Sequence, residues 1–305
     1  MSNYFFELEE ASNLTNNSKF EEAEAVFRKI YEESSDSFNN QFKKDYAKCI
    51  FINHMENSND IIVLEQSAKE IINLVEQEDC SQENKECYRT KAVLKLTNLL
   101  KSRNPHYSIF WFRFIKPELL TEEETVSSTG STYESSKEKY YLNLTQSLFE
   151  DKRYGDCINS AKEGIKNIQI FRNKTIIHLN YRIAKSFLAL DNYEESTKYL
   201  MKIRNNRDWY IDSNIAFNYF YLKDYENALK HALLAALIGN NINSKVKLYE
   251  LMDSLFILRG MNQESEDVAD LSFAIRSNEP NSDIQIMENN LRKCWRTILD
   301  ELYLD

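Results

Sequence analysis

Apolar residues recur at helical spacing along most of the chain, in pairs of segments separated by short polar breaks. One such stripe lies at 19–33, after a polar break at 15–18, and consists of Phe20, Ala23, Phe27 and Ile30. A stripe with this spacing predicts an amphipathic helix, and the break before it predicts a turn. The same pattern predicts amino-terminal helices at 4–14, 19–33, 38–55, 60–77 and 83–102.

Residues 104–133 interrupt this rhythm. They begin with an aromatic stretch that contains Tyr107, Phe110, Trp111 and Phe112, and they continue into an acidic segment rich in Ser and Thr. The second part is typical of a linker or loop. Dense aromatic residues are usually buried packing, but an exposed set would mark a docking patch for a partner. The sequence leaves both interpretations open.

An internal repeat begins after this interruption. Three segments, at 141–165, 180–203 and 212–237, each contain an apolar helix, a polar break, a tyrosine and a small residue three positions later. These landmarks are Tyr154/Cys157, Tyr193/Ser196 and Tyr225/Ala228. Self-similarity at spacings of 39 and 32 residues indicates a repeat of helical hairpins.

The third segment resembles the tetratricopeptide repeat (TPR) family most closely. Ile215, Ala216 and Tyr219 match the first helix of that family, and Ala228 and Ala232 match the small positions of its second helix. The usual first-helix Trp and the Pro after the second helix are absent. The resemblance implies an all-α fold, a right-handed α-solenoid of antiparallel hairpins, with a C-terminal capping helix. The run 175–276 also resembles, more weakly, helical-repeat proteins of bacterial defence operons.

These patterns predict four regions along the chain. They are degenerate TPR-like hairpins at 1–103, the aromatic segment and acidic loop at 104–133, TPR-like repeats at 134–278, and the C-terminal helix at 279–305.

The resemblance also implies a groove lined by the first helices of successive repeats, which accepts a protein or peptide segment. The groove positions carried over from the family are Lys139, Leu142, Gln146, Glu150, Tyr181, Lys185, Tyr210, Phe217 and Tyr221. Chaperone-binding members hold a peptide carboxylate with a Lys and an Asn one turn apart. The matching pairs here are Leu142/Gln146, Tyr181/Lys185 and Ser213/Phe217, so that clamp is absent.

Composition excludes several other classes of protein. Five glycines and three prolines in 305 residues are too few for hairpin-rich β architectures, and the glycines are never close enough for a phosphate-binding loop. The formal net charge is −10, which argues against direct binding of nucleic acid. The acidity lies mainly at the termini, however, and 138–242 is mildly basic. Arg204 and Arg207, near Trp209, together with Arg172 and Lys174 in an earlier loop, are therefore candidates for a basic rim.

The sequence contains no recognisable catalytic or metal-binding motif. The four histidines and five cysteines have no metal-ligand spacing, so we expect no metal and no cofactor. Cys80 and Cys87 would lie two turns apart on a continuous helix, which makes a disulfide implausible, and all five cysteines are expected to be thiols. With no signal peptide and no membrane-length apolar run, the expected location is cytoplasmic.

The sequence therefore predicts a non-enzymatic interaction scaffold that binds a protein or peptide segment, with a bacterial defence or regulatory system as the candidate setting. Two alternatives stay open. The first is a peptide-sensing regulator, and the second is an accessory subunit of a nucleic-acid-processing complex. The partner and the oligomeric state cannot be read from the sequence.

Overall fold

The structure is a computed structural model, and it describes residues 4–76, 87–123, 125–126, 132–204, 208–239 and 242–304. These residues form helices, apart from connections and one pair of two-residue strands. The chain divides into two compact units, at Met1–Leu179 and Asn180–Asp305. The boundary between the two units falls inside a helix of the repeat region. The four regions expected from the sequence patterns stay a prediction.

The first unit is built from consecutive helical hairpins. Its helices are α1 (Phe5–Asn16), α2 (Phe20–Ser34), α3 (Asn40–Ile50), α4 (Ile61–Leu74), α5 (Tyr88–Arg103), α6 (Pro105–Phe112), α7 (Ser136–Glu150) and α8 (Tyr154–Asn167). α3 continues into a π-helical turn at Phe51–Met55. Strands β1 (Thr125–Val126) and β2 (Thr132–Tyr133) pair antiparallel within the acidic segment.

We expected the pattern of helical hairpins to be interrupted from residue 104. The structure corrects this expectation, because α6 lies directly after that residue. It packs against both α5 and α7, as the second helix of a hairpin does. Asn104 ends α5 and caps α6 through its side chain, which accepts a hydrogen bond from the Tyr107 N–H. Pro105 occupies the first turn of α6, where its missing N–H costs nothing.

α9 (Thr175–Ala189) spans the boundary between the units. The second unit continues with α10 (Tyr193–Ile203), α11 (Trp209–Tyr221), α12 (Tyr225–Leu237), α13 (Val246–Leu258), α14 (Asn262–Arg276) and α15 (Asn281–Leu304). α11 packs on α12, and α13 packs on α14. The predicted fold class, all-α with TPR-like antiparallel hairpins and a C-terminal capping helix, is confirmed.

Five hairpins reverse direction through the same backbone turn. The second residue after each first helix has a left-handed φ, between 55° and 73°, and the next N–H donates to a carbonyl five residues back at 2.9 Å. The left-handed residues are Ser18, Lys152, Asp191, Lys223 and Gly260. This arrangement satisfies carbonyls that the end of the helix would leave unpaired. Four of the five positions use a residue other than glycine.

A small residue lies at the same position after each of these turns. It is the fourth residue of each second helix, and it is buried in every case: Ala23, Cys157, Ser196, Ala228 and Ser265. A small side chain lets the two helices of a hairpin approach closely. α13 and α14 therefore form a fourth hairpin of the repeat region. Both helices lie inside the predicted repeat region, 134–278, but the three aligned segments end at residue 237. Asn262 stands where the other second helices begin with an aromatic residue.

Helices α7 and α8 approach so closely that one glycine is required. A Cβ on Gly164 would lie 2.8 Å from Cγ of Tyr141. The Tyr141 ring is buried, and its hydroxyl donates to Glu163 at 3.0 Å and accepts from Asn167 at 3.1 Å. These contacts hold the ring against the glycine.

Two cations bind the carbonyls at the end of α12. Lys245, directly before α13, is fully buried, and its Nζ donates to the Ala236 and Ile238 carbonyls at 2.9 and 2.7 Å. Arg292, on α15, donates to the Leu237 carbonyl. Positive charge at a helix C-terminus is favourable, because it meets the negative end of the helix dipole. α15 packs against both α12 and α14, so it covers the second helices of the last two hairpins.

The expectation that all cysteines are thiols is wrong for Cys87, which is disulfide-bonded. The expectation assumed a continuous helix through this region. α5 begins only at Tyr88, and Cys87 precedes it with extended backbone. Cys80 lies outside the described residues.

The close approach of α7 and α8 predicts opposite effects at two glycines of one helix. Gly164→Ala should destabilise the protein by about 1–3 kcal/mol, because the added methyl overpacks the contact with Tyr141. Gly155→Ala, whose Cβ meets nothing within 4 Å, should stabilise the helix by about 0.5–1 kcal/mol. Chemical denaturation of both variants measures this, and equal effects at the two positions would contradict the packing argument.

The left-handed backbone of the shared turn predicts that glycine is favoured at position 223, where the chain has lysine. A left-handed backbone costs a residue other than glycine about 1–2 kcal/mol. Glycine also gives the unfolded chain more conformational entropy, which lowers the free energy of unfolding by about 0.4–1 kcal/mol. Lys223→Gly should therefore raise the free energy of unfolding by about 0.5–1 kcal/mol. The control is Lys198→Gly within α10, which should lower it by about 1 kcal/mol. A loss of stability in Lys223→Gly would refute this account of the turn.

Candidate functional site

The predicted groove residues lie in both units. Lys139, Gln146 and Glu150 are on α7 in the first unit, where Lys139 and Gln146 are half-buried and Glu150 is exposed. Gln146 Nε2 donates to Ser102 Oγ, on α5, at 3.0 Å. α7 thus contacts α5, the first helix of the preceding hairpin.

In the second unit the structure brings Tyr181, on α9, together with Tyr210, on α11. Their rings lie 5.1 Å apart, nearly edge to face. Asn214, one turn after Tyr210, donates to the Tyr181 hydroxyl at 3.3 Å. Burial raises the pKa of Tyr181, and burial together with nearby Asp208 raises the pKa of Tyr210 to about 12. Both phenols therefore stay protonated at neutral pH and keep a hydroxyl for hydrogen bonding.

Lys185 lies one turn after Tyr181 on α9 and is half-buried. Counted back from the left-handed residue of each hairpin, it is equivalent to Phe217 on α11, which is also half-buried and packs on the core of the unit. Burial and the nearby charge of Lys247, on α13, lower the pKa of Lys185. The first helices of two successive hairpins, α9 and α11, thus contribute to one local environment.

We call the set Tyr181, Lys185, Tyr210, Asn214 and Phe217 the first-helix face. Asn214 was not among the candidate site residues named from the sequence. The signal that finds it is its spacing, because it lies one turn after Tyr210 on the same helix.

Tyr221 does not belong to this face. It lies at the end of α11, eleven residues after Tyr210, or about 16 Å along the helix. Its ring stacks on Tyr193, at the start of α10, with 4.8 Å between centroids. This pair lies at the hairpin turns, and Tyr221 is more than half exposed.

The aromatic stretch on α6 is mostly packing. Trp111 and Phe112 are buried, so the packing interpretation, and not the docking patch, holds for these two of the residues left open by the sequence. They face the core because α6 is wedged between α5 and α7. Tyr107 is half-buried and donates to Glu65 at 2.6 Å. Phe110 remains exposed, and the guanidinium of Arg113 lies over its ring at 3.7 Å.

The arginines considered as a basic rim hold structural ion pairs. Arg204 Nε donates to Asp212 at 2.9 Å, and the same buried carboxylate contacts His231 Nδ1 at 2.7 Å. Arg172 pairs with Glu138, which is fully buried at the start of α7. Arg207 lies outside the described residues. These pairs leave Arg172 and Arg204 poorly placed to bind phosphates.

A buried polar cluster in the first unit is also internally satisfied. Glu24, on α2, contacts Arg28 at 2.8 Å, Asn53 at 2.7 Å and His54 at 2.9 Å. Burial alone would raise the pKa of Glu24, but these hydrogen bonds outweigh it and hold the pKa below its usual value. The cluster ties α2 to the π-helical turn after α3.

Two further findings concern the described residues alone. No group of three or more His, Cys, Asp or Glu side chains among them is arranged to hold a metal ion. None of their helices combines the length and the apolar character that a membrane crossing requires.

No protein-family model and no curated protein matches the chain. Among solved structures it is similar to BtubC (BKLC) from P. vanneervenii, at 12% identity and a TM-score of 0.49, over 72% of this chain and 92% of that one. It is also similar to the APC/C hetero-tetramer Cut9-Hcn1, at 11% identity and a TM-score of 0.44, over 93% of this chain and 46% of that one. The chain thus spans less than half of the matched APC/C chain.

At these identities and TM-scores, neither similarity says what the protein binds. The description as a TPR-like helical repeat depends on the hairpins themselves, with their shared turn and buried small residue. The weaker resemblance to proteins of bacterial defence operons has no support in these comparisons.

Proposed function

We propose that this protein is a non-enzymatic scaffold that holds an extended protein segment against the first-helix face. The observation that carries the proposal is the meeting of Tyr181 and Tyr210 from successive hairpins, with Lys185 one turn away. Tyrosine supplies a large apolar surface and a hydroxyl at little cost in side-chain entropy, which suits it to anchoring a bound chain. A protein partner, rather than nucleic acid, follows from the acidic net charge and from the structural ion pairs of Arg172 and Arg204.

The repeat supports the same proposal through its regularity. The first helices of the repeat region, α7, α9, α11 and α13, end in register, because the same turn closes each of their hairpins. Side chains at equivalent positions, such as Lys185 and Phe217, therefore form rows across helices. An extended chain can contact such a row at several points, which is how helical repeats bind segments without a deep pocket.

Selection of random twelve-residue peptides by display against the full chain tests the proposal. We expect enriched peptides whose affinity falls about 30-fold in Tyr210→Ala, the effect of losing an aromatic anchor worth about 2 kcal/mol. Tyr210→Phe keeps the ring and should bind within about threefold of the original. Tyr303→Ala, at an exposed tyrosine on α15, is the matched control and should have no effect.

Two outcomes would count against the scaffold. One is a selection that enriches no peptide. The other is a set of peptides that bind Tyr210→Ala as tightly as the original protein, provided that thermal unfolding shows the variant to be folded.

A further inference from the structure

Exposed apolar side chains lie at the hairpin turns of the second unit. Leu190, Tyr221, Leu222 and Leu258 each lie one or two residues before the left-handed residue of a turn, and they are between 39% and 54% exposed. The turns belong to the hairpins α9–α10, α11–α12 and α13–α14. We call these four side chains the turn strip. The first unit has polar residues at the same positions: Asn16, Asn17, Glu150 and Asp151.

The turn strip runs across neighbouring hairpins. Tyr221 stacks on Tyr193, two residues after the left-handed Asp191, with 4.8 Å between ring centroids, so the first and second turns are in contact. α12 packs on α13, which brings the second turn beside the third. A single exposed apolar side chain is ordinary, but a set at equivalent positions of adjacent turns makes a patch, and such patches mark interfaces.

Charge is distributed unevenly along the turn strip. The turn at one end carries two exposed acids, Asp191 and Glu194. The turn at the other end carries Arg259, which is exposed, and the position equivalent to Glu194 is the neutral Gln263. Within the described part of the chain, the Arg259 side chain forms no ion pair or hydrogen bond. The strip is therefore acidic at one end and basic at the other.

This order of charges selects a second copy of the chain as the occupant. Two copies can pack strip against strip about a twofold axis that crosses the strip at its middle turn. The acidic end of each copy then lies against the basic end of the other, so the same complementary contact forms twice. An axis along the strip would instead set like charges against each other. The middle turn carries both signs, Lys223 and Glu226, so it opposes neither arrangement.

We propose that two copies of this protein associate through their turn strips in antiparallel orientation, with Leu222 near the axis and Asp191 facing Arg259 of the partner subunit at both ends. This inference is independent of the proposed scaffold function, because Tyr221 lies about 16 Å along α11 from Tyr210 of the first-helix face. An anionic membrane would be repelled by the net charge of −10. Because the strip is small for a permanent interface, the dimer should be weak and reversible.

Sedimentation equilibrium of the full chain tests the inference. We expect a monomer–dimer equilibrium with a Kd of about 1–100 µM. Leu222→Lys places a charge near the axis in both copies and should weaken association at least about tenfold. The control Phe273→Lys changes an exposed apolar side chain on α14, outside the strip, and should alter the Kd by less than about twofold. A chain that stays monomeric at concentrations of about 200 µM, or equal effects of the two variants, would overturn the inference.

A charge exchange tests the antiparallel orientation. Asp191→Lys and Arg259→Glu should each weaken association about five- to tenfold, because each sets like charges against each other. Lysine already occupies the left-handed position of two other turns, at Lys152 and Lys223, so Asp191→Lys is compatible with the turn. The double variant restores opposite charges and should bind within about threefold of the original. A double variant that associates no more tightly than the single variants would refute the orientation.

Thermal unfolding checks that each variant is folded, and Leu258→Lys takes the place of Leu222→Lys if the latter is not. Flotation with vesicles of equal parts phosphatidylcholine and phosphatidylglycerol tests the other occupant of an apolar strip. We expect the protein to remain unbound. Vesicle binding that is lost in Leu222→Lys or Leu258→Lys and kept in Phe273→Lys would assign the strip to a membrane and overturn the second copy.

Discussion

The reversal of direction between the two helices of a hairpin, through one turn that five hairpins share, is the constraint on which this fold depends. A residue in the left-handed region ends the first helix, and the next N–H closes a hydrogen bond to a carbonyl five residues back. Ser18, Lys152, Asp191 and Lys223 adopt this backbone although it favours glycine. Because the turn has one geometry, each second helix begins at the same residue relative to the first. Its fourth residue then always meets the first helix and must be small.

The same geometry links the repeat to the candidate site. Equivalent first helices end at the same distance from the turn, so side chains at equal distances from the turn form rows. Lys185 and Phe217 occupy one such row, and Tyr181 and Tyr210 meet between neighbouring helices. In the second unit, α15 packs against the second helices α12 and α14. The proposed scaffold function therefore assigns the partner to the first helices.

Most hairpins were predictable because apolar stripes and polar breaks are local features. The end of α5 before Pro105 and the small residues at 157, 196 and 228 follow from the identity of a few neighbouring residues. Features that depend on the packing of distant segments were not. Trp111 is buried because α7 lies against α6, and Tyr181 meets Tyr210 because two hairpins are neighbours. The fourth hairpin lay inside the predicted repeat region but was not aligned with the other three, because Asn262 stands in place of the aromatic landmark, although Gly260 and Ser265 are at the equivalent positions.

The central claim is that the first helices of the second unit hold an extended protein segment. Hydrogen exchange with a saturating peptide from the display selection tests it most directly, because protection reports which backbone segments a ligand stabilises. The account predicts added protection in 180–189 and 209–221, with α10 and α12 unchanged. Protection confined to α6 or to the second helices would contradict it.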